Sequence, residues 1–102
     1  MALRVNTENF DSEVIHSELP VLVDFYSDSC VPCKMLSPVL SQIESEHSGE
    51  LKVVKVNVNF DIDLAERFDV QAAPTLILFK NGVEQARHRG AAHKDDIEEL
   101  IK

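Results

Sequence analysis

The chain predicts a three-layer α/β domain, with helices on both faces of a mixed sheet. Three observations point there. The run VLVDFYS, Val21 to Ser27, is apolar at nearly every position and rich in β-branched and aromatic residues, as a strand buried on both faces is. Apolar stripes at helical spacing alternate with such strand-like runs along the first two thirds of the chain. Asn81-Gly82 then separates two further runs, the signal of an antiparallel hairpin. The 102 residues, with sparse Gly and Pro and no linker, repeat or low-complexity tract, fit one domain spanning 1–102.

Taken in order, Leu3 and Val5 suggest a short first strand. Phe10, Val14 and Ile15 then recur at helical spacing behind Thr7, so a helix is expected from about Thr7 to Ser17 with Thr7 as its N-cap. Val21 to Ser27 forms the central strand, interrupted by one charge, Asp24. Met35, Leu36, Val39, Leu40 and Ile43 make a stripe at offsets of one, three and four, which places a helix from about Pro32 to Glu46. Pro38 lies within it and should bend it, lacking an N–H and crowding the preceding turn. LKVVKVNV is the next strand, and Leu64, Ala65 and Phe68 mark a helix after it. TLILFK and VEQARHR flank Asn81-Gly82, which supplies the positive φ angles of a type I′ turn. Ile97, Leu100 and Ile101 belong to a last helix. The order is βαβαβα followed by ββα, so the first strands should be parallel and the hairpin should add antiparallel ones.

Eighteen acidic residues against ten basic ones leave a formal charge of -8. Such a surface repels phosphate backbones and anionic lipid, which argues against nucleic acid and membranes as partners. Arg4, Asn6 and Glu8 interrupt what would have to be an apolar signal segment, and a cytoplasmic location is expected. In a reducing compartment two cysteines are seldom a permanent staple.

Cys30 and Cys33 fall where the central strand hands over to the second helix. Backbone N–H groups at a helix start have no internal partner, and the dipole there is positive, so a thiolate at Cys30 is favoured. Two intervening residues on a helical turn let the sulfurs meet, and Pro32 suits the first helical positions. The pair could instead be two small buried hydrophobes. A zinc site with His88 and His93 has ligand-like spacing within each half, but 54 residues separate the halves, far from a finger's roughly 12 to 15. No metal or cofactor is therefore expected. A carboxylate inside an apolar strand, as Asp24 would be, should have a raised pKa and could accept and return a proton near neutrality; an edge position would leave it idle.

SDSCVPCK after VLVDFYS resembles the active site of thioredoxins, and the similarity runs over essentially the whole chain: Asp24, Lys34, Pro38, Lys55, AAPTLILFKNG and Gly90 fall in order. The resemblance implies a thioredoxin fold, a central mixed five-stranded sheet flanked by four helices. It implies Cys30 as exposed nucleophile, Cys33 as buried resolving thiol, and Asp24 as the acid that helps deprotonate Cys33 through water. Lys55 resembles the family lysine close to that acid, although it could equally be a stem snorkelling to solvent. Val31 and Pro32 stand where the family tunes its redox balance. Pro74 is implied to be cis and to face the cysteines, whereas only about 5% of X-Pro bonds are cis. Substrate contact is implied for Ser29, Val31, Ala73, Pro74, Arg89, Gly90 and Ala91.

Four positions depart from the family pattern. Ser29 stands where Trp is usual, Val31 for Gly, Ala73 for a bulkier aliphatic residue, and Arg89 for an apolar one. They suggest a divergent thioredoxin with its own partners, against the alternative of drift at a tolerant rim. The expected activity is reduction of protein disulfides, with an upstream disulfide reductase as electron donor and a monomeric state. A thiol oxidant or isomerase, or a binding subunit on the same fold, are the alternatives.

Overall fold

Alternation along two central strands divides the apolar side chains into two sets. In the computed structural model, which describes residues 3–102, strands β1 (Leu3–Arg4), β2 (Val21–Tyr26), β3 (Lys52–Asn57), β4 (Thr75–Lys80) and β5 (Val83–Arg89) form one sheet in the order β1-β3-β2-β4-β5. β1 and β2 run parallel to β3, β4 is antiparallel to β2, and β5 is antiparallel to β4 at the edge. Val21, Val23 and Phe25 of β2, with Ile77 and Phe79 of β4, join one core. Leu22, Leu76 and Leu78 point the opposite way into the other. This two-residue period is the geometry of the pleat.

The first core is closed by Phe10 and Val14 near the N-terminus and by Leu64 of helix α2 (Ile62–Arg67). Its centre is aromatic, with Phe68 stacked at 5.1 Å from Phe10 and 5.2 Å from Phe79. Tilted and edge-on pairs of this kind add about 0.5–1.5 kcal/mol each beyond their area. The second core is closed by Leu36, Leu40 and Ile43 of α1 (Val31–Glu46) and Ile97 of α3 (Lys94–Leu100). Pro38 sits inside α1 without ending it.

The first helix differs from the expected one. It is a five-residue π-helical turn, Asp11–Ile15, closed by the His16 N–H on the Asp11 carbonyl. No side chain caps it at Phe10, and the turn that leads into it is held by Asn6, whose side chain accepts from the Glu8 and Asn9 N–H groups, and not by Thr7. Thr7 is drawn away because its N–H and hydroxyl both donate to the buried carboxylate of Asp61. That long-range bond ties the segment after β1 to the start of α2 and outcompetes the local cap.

The β4–β5 hairpin follows expectation. Lys80 pairs with Val83 across Asn81 and Gly82, whose φ angles are both positive at 54° and 78°. Gly82 is doubly constrained, because a Cβ there would lie 2.8 Å from the Ile15 backbone oxygen. Gly49, at φ +81°, has open space around it. Gly82→Ala should therefore cost about 2–3 kcal/mol and Gly49→Ala about 1 kcal/mol, since only the former adds a clash to the left-handed backbone. Urea midpoints of the two variants check this, and equal losses would show that the hairpin does not press on the first helix.

Candidate active site

The segment that delivers the cysteines is short and anchored at both ends. β2 stops at Tyr26, and Asp28 in the following turn is clasped from β3: its N–H donates to Asn59 Oδ1 at 3.1 Å, and Asn57 Nδ2 donates to its carboxylate at 2.9 Å. The Asn59 N–H returns to Asn57 Oδ1 at 2.8 Å. Cys30 then takes an extended backbone as the N-cap of α1, and its sulfur accepts the Cys33 N–H at 3.1 Å. That contact is an unpaired helix-start N–H aimed at sulfur, the arrangement that stabilises negative charge there. The Cα atoms of Cys30 and Cys33 lie 5.2 Å apart and the sulfurs are joined as a disulfide. Cys30 is half-buried, whereas Cys33 is only 5% exposed.

Strand parity places the acid. Asp24 lies between Val23 and Phe25, which face the first core, so its side chain points with Leu22 toward the layer of α1. Lys55, its register partner on β3, has the same parity as Val53 and points the same way. Asp24, Cys33 and Lys55 accordingly line one cleft of about 210 Å³, with Tyr26, Lys34 and Ser37 around them. Asp24 is 4% exposed, and its Oδ1 meets no donor among the described residues. Desolvation pushes its pKa from 3.8 up to about 7, against the opposing pull of the Lys55 ammonium. The Lys55 ammonium lies 5.6 Å from the Tyr26 ring centroid, a distance at which the ring face attracts a cation.

The rim is built by the turns before β4 and after β5. The Ala73–Pro74 peptide is cis, as the resemblance implies, and Pro74 is buried. The Gly90 N–H donates to the Pro74 carbonyl at 2.8 Å, which joins the two turns. Arg89 pairs in register with Thr75 and is exposed, and a ring nitrogen of His88 lies 3.0 Å from the Ala91 carbonyl oxygen. Ala91 and Pro32 border a second groove of about 300 Å³ between the starts of α1 and α3. Ser29 and Val31 are exposed and Ala73 is half-buried; none of the three, nor Arg89, lines either cleft.

Two groups of site residues escaped sequence reasoning. Ser37 could have been found, because it follows Cys33 by four residues and so shares its helical face. The Asn57–Asp28–Asn59 clasp carried no signal, since polar residues after a strand read equally well as an ordinary turn.

A half-buried cysteine at a helix start, bonded to a buried one a turn later and backed by an uncompensated acid, defines a dithiol–disulfide redox domain. The thioredoxin family model matches residues 1–102, and the chain belongs to the thioredoxin family. It is 38% identical to thioredoxin of Rickettsia felis over 101 residues, covering 99% of this chain and 96% of that protein. It is 39% identical to thioredoxin of Haemophilus influenzae over 99 residues, covering 97% and 92%, and 40% identical to thioredoxin C-2 of Corynebacterium nephridii over 99 residues, covering 95% and 92%. The mixed sheet with its flanking helices is the thioredoxin fold, and family and cysteine pair together indicate a thiol–disulfide oxidoreductase. Among the described residues no helix is long and apolar enough to cross a membrane.

The raised pKa of Asp24 has a consequence for stability. The folded chain holds this proton up to about pH 7, whereas an unfolded aspartate releases it near 3.8, so unfolding releases a proton between those values. Stability should fall as pH rises through that window and then level off, with roughly 4 kcal/mol lost to the buried carboxylate. Asp24→Asn should match the parent near pH 4 and exceed it by a few kcal/mol above pH 8. Denaturant unfolding across this range tests it, and a parallel pH dependence in the two proteins would contradict the burial of the charge.

Proposed function

We propose that the chain reduces protein disulfides by dithiol exchange and is itself recharged by an upstream disulfide reductase. The observation that carries this reading is the asymmetry of the pair: Cys30 is accessible at the helix start, whereas Cys33 is buried in the cleft that holds Asp24.

The Cys30 thiolate attacks one sulfur of the substrate disulfide, forming a Cys30–substrate bond and expelling the other substrate sulfur as a thiolate. Asp24, through water, removes the Cys33 proton. The Cys33 thiolate then attacks the Cys30 sulfur, forming the Cys30–Cys33 bond and expelling the second substrate sulfur. The substrate gains two electrons and the protein loses two, with the proton from Cys33 passing to a departing sulfur. A carboxyl titrating near neutrality suits this step because it can take the proton and give it back at working pH. Lys55 acts beside it by holding the acid's pKa below what burial alone would give. Sulfur carries both electrons, so the exchange itself calls for no metal or cofactor.

Val31 and Pro32 tune the relative stability of dithiol and disulfide from between the cysteines. Ser29, on the segment that leads into the cysteines, and Ala73, Pro74, Arg89, Gly90 and Ala91, on the two turns joined by the Gly90–Pro74 hydrogen bond, meet the partner. The charge of -8 supports partners other than nucleic acid or anionic membrane.

Cys33→Ser should accumulate a stable mixed disulfide through Cys30, seen as a higher-mass species on non-reducing gels. Alkylation of the reduced parent below neutral pH should label Cys30 first. Preferential labelling of Cys33, or rapid turnover by Cys33→Ser, would reverse the assignment. A redox titration against glutathione separates the reductase from an oxidant or isomerase, for an oxidising potential is incompatible with a reductase fed from upstream.

Ser29 and Arg89 bear on partner choice. A Trp at a contacted rim position is the kind of anchor that dominates interface energy, and its replacement by Ser costs ~2 kcal/mol, about thirtyfold in affinity. Ser29→Trp should raise catalytic efficiency with a generic thioredoxin reductase by about an order of magnitude. Arg89 should make association with acidic partner segments salt-sensitive. Equal efficiency with and without the ring, together with salt-independent rates, would mark the substitutions as drift.

A further inference from the structure

The groove between α1 and α3 extends away from the exchange chemistry, and of the residues that line it only Pro32 and Ala91, at its end nearest the cysteines, have a role in the reading above. Its α1 wall is Pro32, Met35, Leu36 and Val39, and its other wall is Ala91 and Ala92. Met35 is 71% exposed although its neighbour Leu36 is core, so the outer edge of α1 beside the cysteines presents a large apolar side chain to solvent. The groove's charged member, Lys94, is engaged by the Glu46 carboxylate at 2.8 Å. His93 lies at the same end, and its backbone N–H is taken by the Asp96 side chain. The lining therefore favours an apolar occupant over an acidic one.

The groove is continuous with the redox site, since Pro32 belongs to the loop between the cysteines and Ala91 follows Gly90 of the rim. We infer that this groove is a substrate subsite, which receives one apolar side chain of the disulfide-bearing partner three or four residues from the cysteine that Cys30 attacks. The inference rests on the reductase reading and adds to it a class of substrate. The reach follows from helix geometry: the nine residues from Cys30 to Val39 rise about 13 Å, which an extended chain covers in about four residues. The volume of about 300 Å³ has room for a Leu or Phe side chain. A partner tethered covalently at Cys30 holds its flanking residues beside this surface, so burial there adds to the rate without any further change of shape.

The test uses short single-cysteine peptides joined as symmetric disulfide dimers, so that attack on either sulfur gives the same product. One set carries Leu three and four residues before the cysteine, one carries it three and four residues after, and a control carries Ser at all these positions. The pre-reduced protein is mixed with excess dimer, and the second-order rate of reduction is read in a single turnover without any electron donor. One of the Leu peptides should react tenfold or more faster than the Ser peptide, the scale of burying much of one Leu side chain. In Met35→Glu, a change at an exposed position, that Leu-to-Ser ratio should fall to near one. Equal rates for Leu and Ser peptides in the parent overturn the subsite and leave the reductase reading intact. A ratio that survives unchanged in both Met35→Glu and Val39→Ala also overturns it. If no peptide is reduced at all, the reductase reading fails and the subsite fails with it.

Discussion

The two-residue period of β2 decides which layer each of its side chains meets, and the site depends on that decision. Five consecutive residues from Val21 are buried, so the strand has no solvent face on which a polar residue could be placed harmlessly. Odd positions enter the aromatic core of Phe10, Phe25 and Phe79, and even positions enter the layer under α1 and α3. Asp24 falls on an even position and so lies behind Cys33. A one-residue slip of register would exchange the two sets and carry the carboxyl into the aromatic core, away from the cysteines. Pairing to β3 on one side and β4 on the other holds the register along the whole strand.

Helix α1 depends on the same frame. Its start is positioned by the Asp28 clasp to Asn57, the last residue of β3, and to Asn59 in the turn after it, and β3 is locked to β2 residue by residue. The N–H of Cys33 is thereby aimed at the Cys30 sulfur by the sheet rather than by a flexible loop. Leu36, Leu40 and Ile43 bury the face of the helix that continues from Cys33, so the Cys33 sulfur is inside because its stripe is inside. Exposure of Cys30 and burial of Cys33 are then two consequences of one helical phase.

What the residues reveal in advance follows the range of the interaction responsible. Stripes on α1, the buried run of β2 and the Asn81-Gly82 turn are local patterns, and each forms where its pattern lies. The cysteines and Asp24 were legible because their chemistry is rare inside apolar segments. Thr7 misled because its partner, Asp61, is 54 residues away and gives no sign of itself in sequence. The Asn clasp was hidden for the same reason, and so was the groove beside Met35. A stripe of apolar residues does not say which of its members the neighbouring layers leave uncovered, and here Leu36 and Leu40 join the core while Met35 is left exposed.

The acid and the rim stand in different energetic relations to the fold. Burying Asp24 opposes folding at neutral pH, since its carboxylate gives up water and receives only the distant pull of Lys55 in return. Packing alone would favour an apolar side chain there, so what accounts for the acid is the proton transfer proposed for it above. Ser29, Val31 and Arg89 carry no such cost, being exposed, and the fold neither requires nor resists them. Folding energy therefore constrains the interior half of the site and leaves the exposed rim free. Asp24 and Cys33 fall on the buried side of that division, Ser29, Val31 and Arg89 on the exposed side, and Cys30, half-buried, on the line between them.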